Sequence, residues 1–240
     1  MIRKEKMRLN NKGSALVSVL VVTIFISILA TTMLYVSAQN YQMKYTDYQN
    51  KQSFYGAEHA LDSLKAIMIA DVQTAYEEAY HEVMRNYLLK GTVQGRKECY
   101  QEAYLKKLNE LWDGRLAAAG GDCVKMMRDF MTDNGIASDV AERIYKVEGY
   151  GESEVTSTET SGGVTTTMTG KQFTIKGIRA MYTSGNYTTF LYTDIGIALP
   201  ELDLSVDSSQ TLSGTAAQRE LIALTDCVLY MNWRRADYEE

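Results

Sequence analysis

The fold of this chain is decided by residues 14–38, which read SALVSVLVVTIFISILATTMLYVSA. The segment contains no charged residue, no proline and no glycine. Its inner part, residues 15–36, would form a helix about 33 Å long, enough to cross a bilayer core of about 30 Å. Valine, isoleucine and threonine are poor helix formers in water, but in lipid the backbone must satisfy its own hydrogen bonds, which favours a helix. The sequence therefore predicts a transmembrane helix over residues 14–38.

A short basic segment precedes this helix and indicates its orientation. Residues 1–13 read MIRKEKMRLNNKG and carry a net charge of +4, whereas the whole chain carries −5. Positive residues beside a membrane span tend to stay on the cytoplasmic side. We therefore expect a single-pass protein of the cell membrane, with the N-terminus in the cytoplasm and everything after residue 38 outside.

The overall composition narrows the classes of function. With 240 residues, 45% hydrophobic and 23% charged, the chain is typical of a folded protein. Two histidines leave little room for a histidine-based metal site, and three cysteines are too few for a disulfide framework. The negative net charge gives no electrostatic reason to expect nucleic-acid binding.

Three interpretations of the basic-then-apolar segment compete. The first is a cleaved secretory signal with a small-residue site at residues 36–38, although its apolar run is longer than the usual 7–15 residues or so. The second is a simple uncleaved membrane anchor. The third depends on the junction over residues 12–18, which reads KGSALVS.

The residues that follow the span predict a long amphipathic helix over residues 39–90. This stretch contains one glycine, Gly56, and no proline. Apolar residues recur in it at helical spacing: Phe54, Ala57, Leu61, Leu64, Met68, Val72, Ala75, Tyr76, Ala79, Tyr80, Val83, Met84, Tyr87 and Leu88. A cleaved signal peptide does not require its apolar segment to continue into a long amphipathic helix.

A basic leader, a glycine and an apolar run that continues into a long helix resemble type IV prepilins and pseudopilins. Residues 52–61, which read QSFYGAEHAL, resemble the small-residue run after the membrane helix in PilX-like minor pilins and K-type tip pseudopilins. The resemblance implies that a prepilin peptidase cuts after Gly13 and that the new N-terminus, Ser14, is methylated. Residues 14–36 would then pack with other pilin subunits in a filament, having first been held in membrane lipid.

The chain departs from the family at Ser18, where major pilins carry a glutamate that pairs with a neighbouring subunit's N-terminal amine. A serine cannot compensate a buried ammonium as a carboxylate would. A subunit that occurs once, at the tip, has no neighbour above it, so the serine favours a tip or minor subunit. The alternative is that the leader match is accidental and Ser18 is a small polar residue in an anchor.

Residues 91–144 predict a helical insertion. One helix covers residues 96–119 and ends at Gly120-Gly121, a second covers residues 122–133, and residues 138–142 suit the cap of a short third helix.

Residues 145–240 predict a β-rich globular head, because alternation replaces helical spacing. We expect an antiparallel meander of three to four strands packed on the C-terminal half of the long helix, an α+β, pilin-like fold. The predicted strands are residues 147–158, 164–168, 171–182 and 187–199, with turns at 161–163 and 184–186 and a loop over 205–219. Residues 221–233 form either a last strand or a helix, and we favour the strand.

Catalytic signatures are absent from the sequence. Glu78 and His81 match a Glu-x-x-His pair, but the second pair that a di-iron site needs is missing, so we interpret them as a solvated helix face. Cys99 and Cys123 lie in the predicted extracellular part and are a possible disulfide, with reduced cysteines as the alternative, and Cys227 is left over. We predict no enzyme activity, no metal site and no cofactor.

Two hypotheses of different class follow. In the first, the chain is a minor, tip or initiating, pilin or pseudopilin of a type IV pilus or type II secretion-like filament. In the second, it is a membrane-anchored or secreted binding protein whose helical stalk presents an adhesive β-domain, with no role in a filament.

Overall fold

The computed structural model describes residues 11–161, 164–200, 224 and 226–236, with the backbone alone for residues 11–14, 155–161, 164–169 and 236. The chain divides into two compact units, Met1–Gln49 and Asn50–Glu240, and we call the second the globular unit. A long N-terminal apolar helix and a C-terminal antiparallel sheet give the α+β arrangement that the sequence predicts. The elements in chain order are α1 (Asn11–Arg85), α2 (Val93–Ala118), α3 (Cys123–Asp133), α4 (Ser138–Ala141), β1 (Ile144–Lys146), β2 (Gly149–Ser161), β3 (Val164–Ser184), β4 (Tyr187–Ile197) and β5 (Val228–Ala236).

The sheet is organised around β3, its longest strand in the described chain. The strand order is β1-β3-β4-β5, all neighbours run antiparallel, and β2 also pairs with β3. Because β4 occupies one edge of β3 over Phe173–Ser184, β1 and β2 lie one after the other along the opposite edge. The described residues thus form one antiparallel sheet of five strands, where the sequence predicted a meander of three to four strands followed by a last strand or helix.

The carboxylate of Asp194 accepts hydrogen bonds at two irregularities of the sheet. The register of β3 shifts between Ile175 and Ile178, where Gly177 adopts φ +63° and donates its N–H to Asp194 Oδ1 at 2.6 Å. On the other side Asn232, with φ 54°, donates its side-chain amide to Asp194 Oδ2 at 2.6 Å. One carboxylate therefore accepts a hydrogen bond at each of two departures from regular pairing, from the backbone N–H of Gly177 and from the side-chain amide of Asn232.

The core of the globular unit forms between the later part of α1, helices α2 and α3, and one face of the sheet. Buried residues of α1 recur every three or four positions, as an amphipathic helix requires. They meet a cluster of large side chains in which the ring of Trp112 lies 5.7 Å from Phe130 and 5.8 Å from Phe173. The fully buried apolar positions of α1 are Ala57, Ala60, Leu61, Leu64, Met68, Val72, Ala75 and Ala79.

Helix α1 ends earlier than predicted, and α2 begins earlier. The amphipathic stretch was expected to reach about residue 89, but α1 ends at Arg85 and a turn follows. Asn86 donates its side-chain amide to the carbonyl of Glu82 at 3.0 Å and so competes with the helical backbone. Thr92, whose hydroxyl accepts from the N–H of Gly95 at 3.1 Å, is the N-cap of α2 and starts it ahead of residue 96.

Other boundaries also differ from the prediction. The three-residue strand β1 was missed because it is too short to show alternation, and the strands predicted at 164–168 and 171–182 are one strand, β3. The N-cap of α4 is Ala137, which makes no side-chain capping bond, so Ser138 is inside the helix instead of capping it.

The predictions for the C-terminal residues can be compared with the structure only where it describes the chain. The last strand is β5, which begins at Val228. The loop predicted at 205–219, residues 221–223 and the turn residues 162–163 lie outside the described residues.

Candidate functional site

The predicted span is the apolar part of helix α1, and its side chains are exposed throughout. Among the described residues this helix is the one long and apolar enough to cross a membrane, and none of its most apolar window is buried within the protein. Large exposed side chains between residues 15 and 36 are Leu16, Val17, Val19, Leu20, Val21, Val22, Ile24, Phe25, Ile26, Ile28, Leu29, Met33, Leu34, Tyr35 and Val36. A continuous apolar surface of this size requires lipid or protein around it.

The hydroxyl side chains of the span bond to its own backbone. Thr23 donates to the carbonyl of Val19 at 2.8 Å, and Ser27 donates to that of Thr23 at 2.8 Å. Thr32 donates to the carbonyls of Ile28 and Leu29. These polar groups therefore enter an apolar environment already hydrogen-bonded, which removes most of their transfer cost.

Beyond the span, the exposed face of α1 becomes aromatic. Tyr41, Tyr45 and Tyr48 are separated by four and three residues and so lie on one side of the helix. Each is more than half exposed, with fractions of 71%, 52% and 63% in that order. The rings of Tyr41 and Tyr45 stack, with centroids 6.4 Å apart and planes within 8°.

The processing and assembly positions that the sequence singled out all fall on helix α1. Gly13 and Ser14 are helical and lie among the first residues of α1 that the structure describes, from Asn11 onward. Ser18 follows one turn later and is exposed. The leader residues 1–10 lie outside the described residues.

The small-residue run at 52–61 packs directly against the sheet. Ser53 is fully buried and its hydroxyl shares a 2.7 Å hydrogen bond with Thr189 of β4. At Gly56 an added Cβ would lie 2.1 Å from the ring of Tyr182, so no larger residue fits there without rearrangement. The residues at these positions are small because the sheet packs directly on the helix there and leaves no room for larger side chains.

Arg143 completes this contact. Its guanidinium donates to the carbonyl of Gly56 at 2.8 Å and lies 4.4 Å from the ring centroid of Tyr182. The ring is thus held between the helix backbone and a cation. The sequence singled out Gly56 but gave no sign of either partner, since they come from the loop before β1 and from β3.

The possible disulfide between Cys99 and Cys123 is contradicted by the structure, in which both are free thiols. Helix α2 separates Cys99 from residue 118 by about 28 Å. The next five residues reach back at most about 18 Å, and a disulfide needs Cα atoms within about 7 Å. Burial, the largest cause, raises the pKa of Cys99, and burial followed by Asp226 raises the pKa of Cys227 to about 11, so both stay protonated at neutral pH.

An ion pair that the sequence did not predict joins α1 to α2. Arg115 donates two hydrogen bonds to the carboxylate of Asp71, at 2.5 and 2.7 Å. Asp71 is only 6% exposed, and the guanidinium lies 4.0 Å from the ring centroid of Phe130 in α3. One arginine therefore ties three helices together by charge and by stacking.

The described residues contain no group of three or more His, Cys, Asp or Glu side chains that could hold a metal ion. Glu78 forms an ion pair with Arg85 at 3.7 Å, and the ring of His81 lies beside Tyr80.

No family model, curated protein or solved structure matches this chain. The candidate site is therefore defined by the chain's own geometry, as an exposed apolar and aromatic helix surface over residues 15–48.

Proposed function

We propose that this chain is a minor subunit, at the tip or at initiation, of a type IV pilus or a type II secretion-like filament. It is cut after Gly13, methylated at Ser14 and assembled through residues 14–36. Before assembly the apolar helix is held in membrane lipid, and in the filament it packs against the corresponding helices of other subunits. The role is mechanical and non-catalytic.

The observation that carries the proposal is the length of the exposed surface on α1. A bilayer of about 45 Å, headgroups included, extends roughly 7 Å beyond its hydrocarbon core on each side. Tyr45 and Tyr48 follow Ala38, the last residue of the predicted transmembrane helix, by about 11 and 15 Å along a helix. Lipid around the span would leave their exposed rings in water, whereas a neighbouring subunit's helix would cover span and tyrosines together.

The unbroken helix adds support. Helix α1 runs from Asn11 to Arg85 without the linker that separates a simple anchor or a cleaved signal from a folded domain. The globular unit packs on its later residues through the small-residue run at 52–61.

The processing site is tested by the mature N-terminus. We expect mass spectrometry of protein extracted from membranes to find a chain that begins with N-methylated Ser14. Gly13→Leu should abolish this cleavage because a bulky side chain replaces hydrogen at the cut, while Asn11→Leu, the same change two residues earlier, should leave it intact. A mature chain starting at residue 1 or 39, or processing that ignores Gly13→Leu, would favour a simple anchor or a secreted binding protein.

The position of the subunit in the filament is tested at Ser18. At a tip, no N-terminal amine from above reaches this site, so Ser18→Glu places an unpaired carboxylate in an apolar environment and leaves incorporation unchanged or reduced. In a repeating shaft subunit the same change would supply the missing carboxylate–amine pair and raise incorporation. Copies per sheared filament, compared with wild type and Ser18→Gln, distinguish the two, and a clear rise specific to glutamate would contradict the tip position.

A further inference from the structure

The turn between α1 and α2 exposes an apolar tip in the globular unit. Leu88 is 93% exposed and Leu89 is 81% exposed, the two highest values among the large apolar side chains of the described residues. Met84 and Val93 flank them with exposures of 46% and 42%. Exposed leucines side by side on a turn cost solubility and indicate contact with an apolar partner.

The residues around this tip are basic. Residues 86–97 contain Lys90, Arg96 and Lys97 and no aspartate or glutamate. The guanidinium of Arg96 lies 4.1 Å from the ring centroid of Tyr87, which places a cation and an aromatic ring directly beside the leucines. The nearest acidic residues in the sequence are Glu82 on α1, which pairs with Arg85 at 3.3 Å and accepts from the side-chain amide of Asn86 at 2.7 Å, and Glu98 on α2, next to Lys97. With both included, residues 82–98 keep a net charge of +2.

A turn and a helix face suit different partners. A broad apolar face packs on another protein, whereas Leu88 and Leu89 are two adjacent, almost fully exposed side chains on a turn between helices. Exposed leucines with a basic and aromatic rim suit a bilayer surface, where leucines enter the acyl region, tyrosine lies at headgroup level and cations meet anionic lipid.

We propose that the tip formed by residues 84–93 docks into an anionic lipid surface. Leu88 and Leu89 insert between headgroups, while Lys90, Arg96 and Lys97 contact lipid phosphates. This contact is separate from the span at residues 15–36 and does not depend on filament assembly.

The test uses the full chain, with its span reconstituted in nanodiscs of neutral phosphatidylcholine, and measures co-flotation with added vesicles. We expect binding to vesicles containing phosphatidylglycerol and little binding to pure phosphatidylcholine vesicles. Leu88→Ser/Leu89→Ser should weaken binding by at least about tenfold, because two inserted side chains are lost. Lys90→Gln/Lys97→Gln should weaken vesicle binding by about fivefold for each charge removed. Binding of the wild-type protein to the anionic vesicles should fall as the salt concentration rises to about 0.5 M.

The matched control is Met181→Ser/Leu229→Ser, which removes two other exposed apolar side chains of the globular unit. It should bind like wild type, and circular dichroism should show that all variants remain folded. Absence of binding to anionic vesicles, or equal binding by the leucine and control variants, would overturn the proposal. Concentration-dependent pairing of nanodiscs that the leucine variant abolishes, without vesicle binding, would also overturn it and assign the tip to a second copy of this chain.

Discussion

Replacing Gly56 with alanine is expected to lower the free energy of unfolding of the globular unit by about 2–3 kcal/mol, as overpacking does in a tight core. The new Cβ would lie 2.1 Å from Tyr182 Cδ1. The ring cannot turn aside easily, because the guanidinium of Arg143 lies 4.4 Å from its centroid and also bonds to the Gly56 carbonyl. The backbone of α1 and strand β3 must therefore separate.

Gly114 provides the matched control for this change. It is also a helical glycine, but a Cβ there meets nothing within 4 Å. Gly114→Ala should therefore stabilise the protein by about 0.5–1 kcal/mol through helix propensity, the opposite sign to Gly56→Ala. Urea unfolding, followed by the fluorescence of buried Trp112 in a Trp233→Phe background, measures both.

A double-mutant cycle tests the cause. Tyr182→Ala removes the clashing ring, so Gly56→Ala should cost clearly less in that background than in wild type. Equal costs in both backgrounds would show that Tyr182 is not the group that excludes a side chain at Gly56.

Replacing Asp71 with alanine is expected to have the largest effect of any single change that we consider, a loss of about 3 kcal/mol in the free energy of unfolding. The substitution leaves the guanidinium of Arg115 packed against Phe130 without its carboxylate. Because the Arg115 side chain is 26% exposed, water reduces the penalty toward the lower end of the range for buried pairs.

Replacing both members of the ion pair with leucine distinguishes the effect of an unpaired buried charge from the effect of lost packing. Asp71→Leu/Arg115→Leu leaves no unpaired charge, so its cost should be well below the sum of the two single leucine substitutions. The pair of Asp139 with Arg143 is the control, because the Asp139 side chain is 72% exposed and the Arg143 guanidinium, 15% exposed, also donates to the carbonyl of Gly56. Asp139→Ala should therefore cost less than about 1 kcal/mol. Equal losses for Asp71→Ala and Asp139→Ala would contradict the role assigned to burial.

Local patterns predicted the elements of this fold well where the pattern is long. The 25 uncharged residues from 14 to 38 and the helical spacing after them predicted one helix, and Thr-rich alternation predicted an antiparallel sheet. Both depend on contacts between residues close in sequence or on simple transfer from water to an apolar environment. Short or competing signals failed, as at β1, at the end of α1 near Asn86 and at the cap of α4.

The features of the candidate site also fall into those that local sequence patterns predict and those that they do not. The apolar surface of α1 and the positions of Gly13, Ser14 and Ser18 on it could be predicted from the sequence, because a helix places residues by their spacing alone. The pairing of Arg115 with Asp71 and the contact of Tyr182 and Arg143 with Gly56 could not. Each depends on how distant elements meet, and residue spacing does not specify which face of one element packs on another.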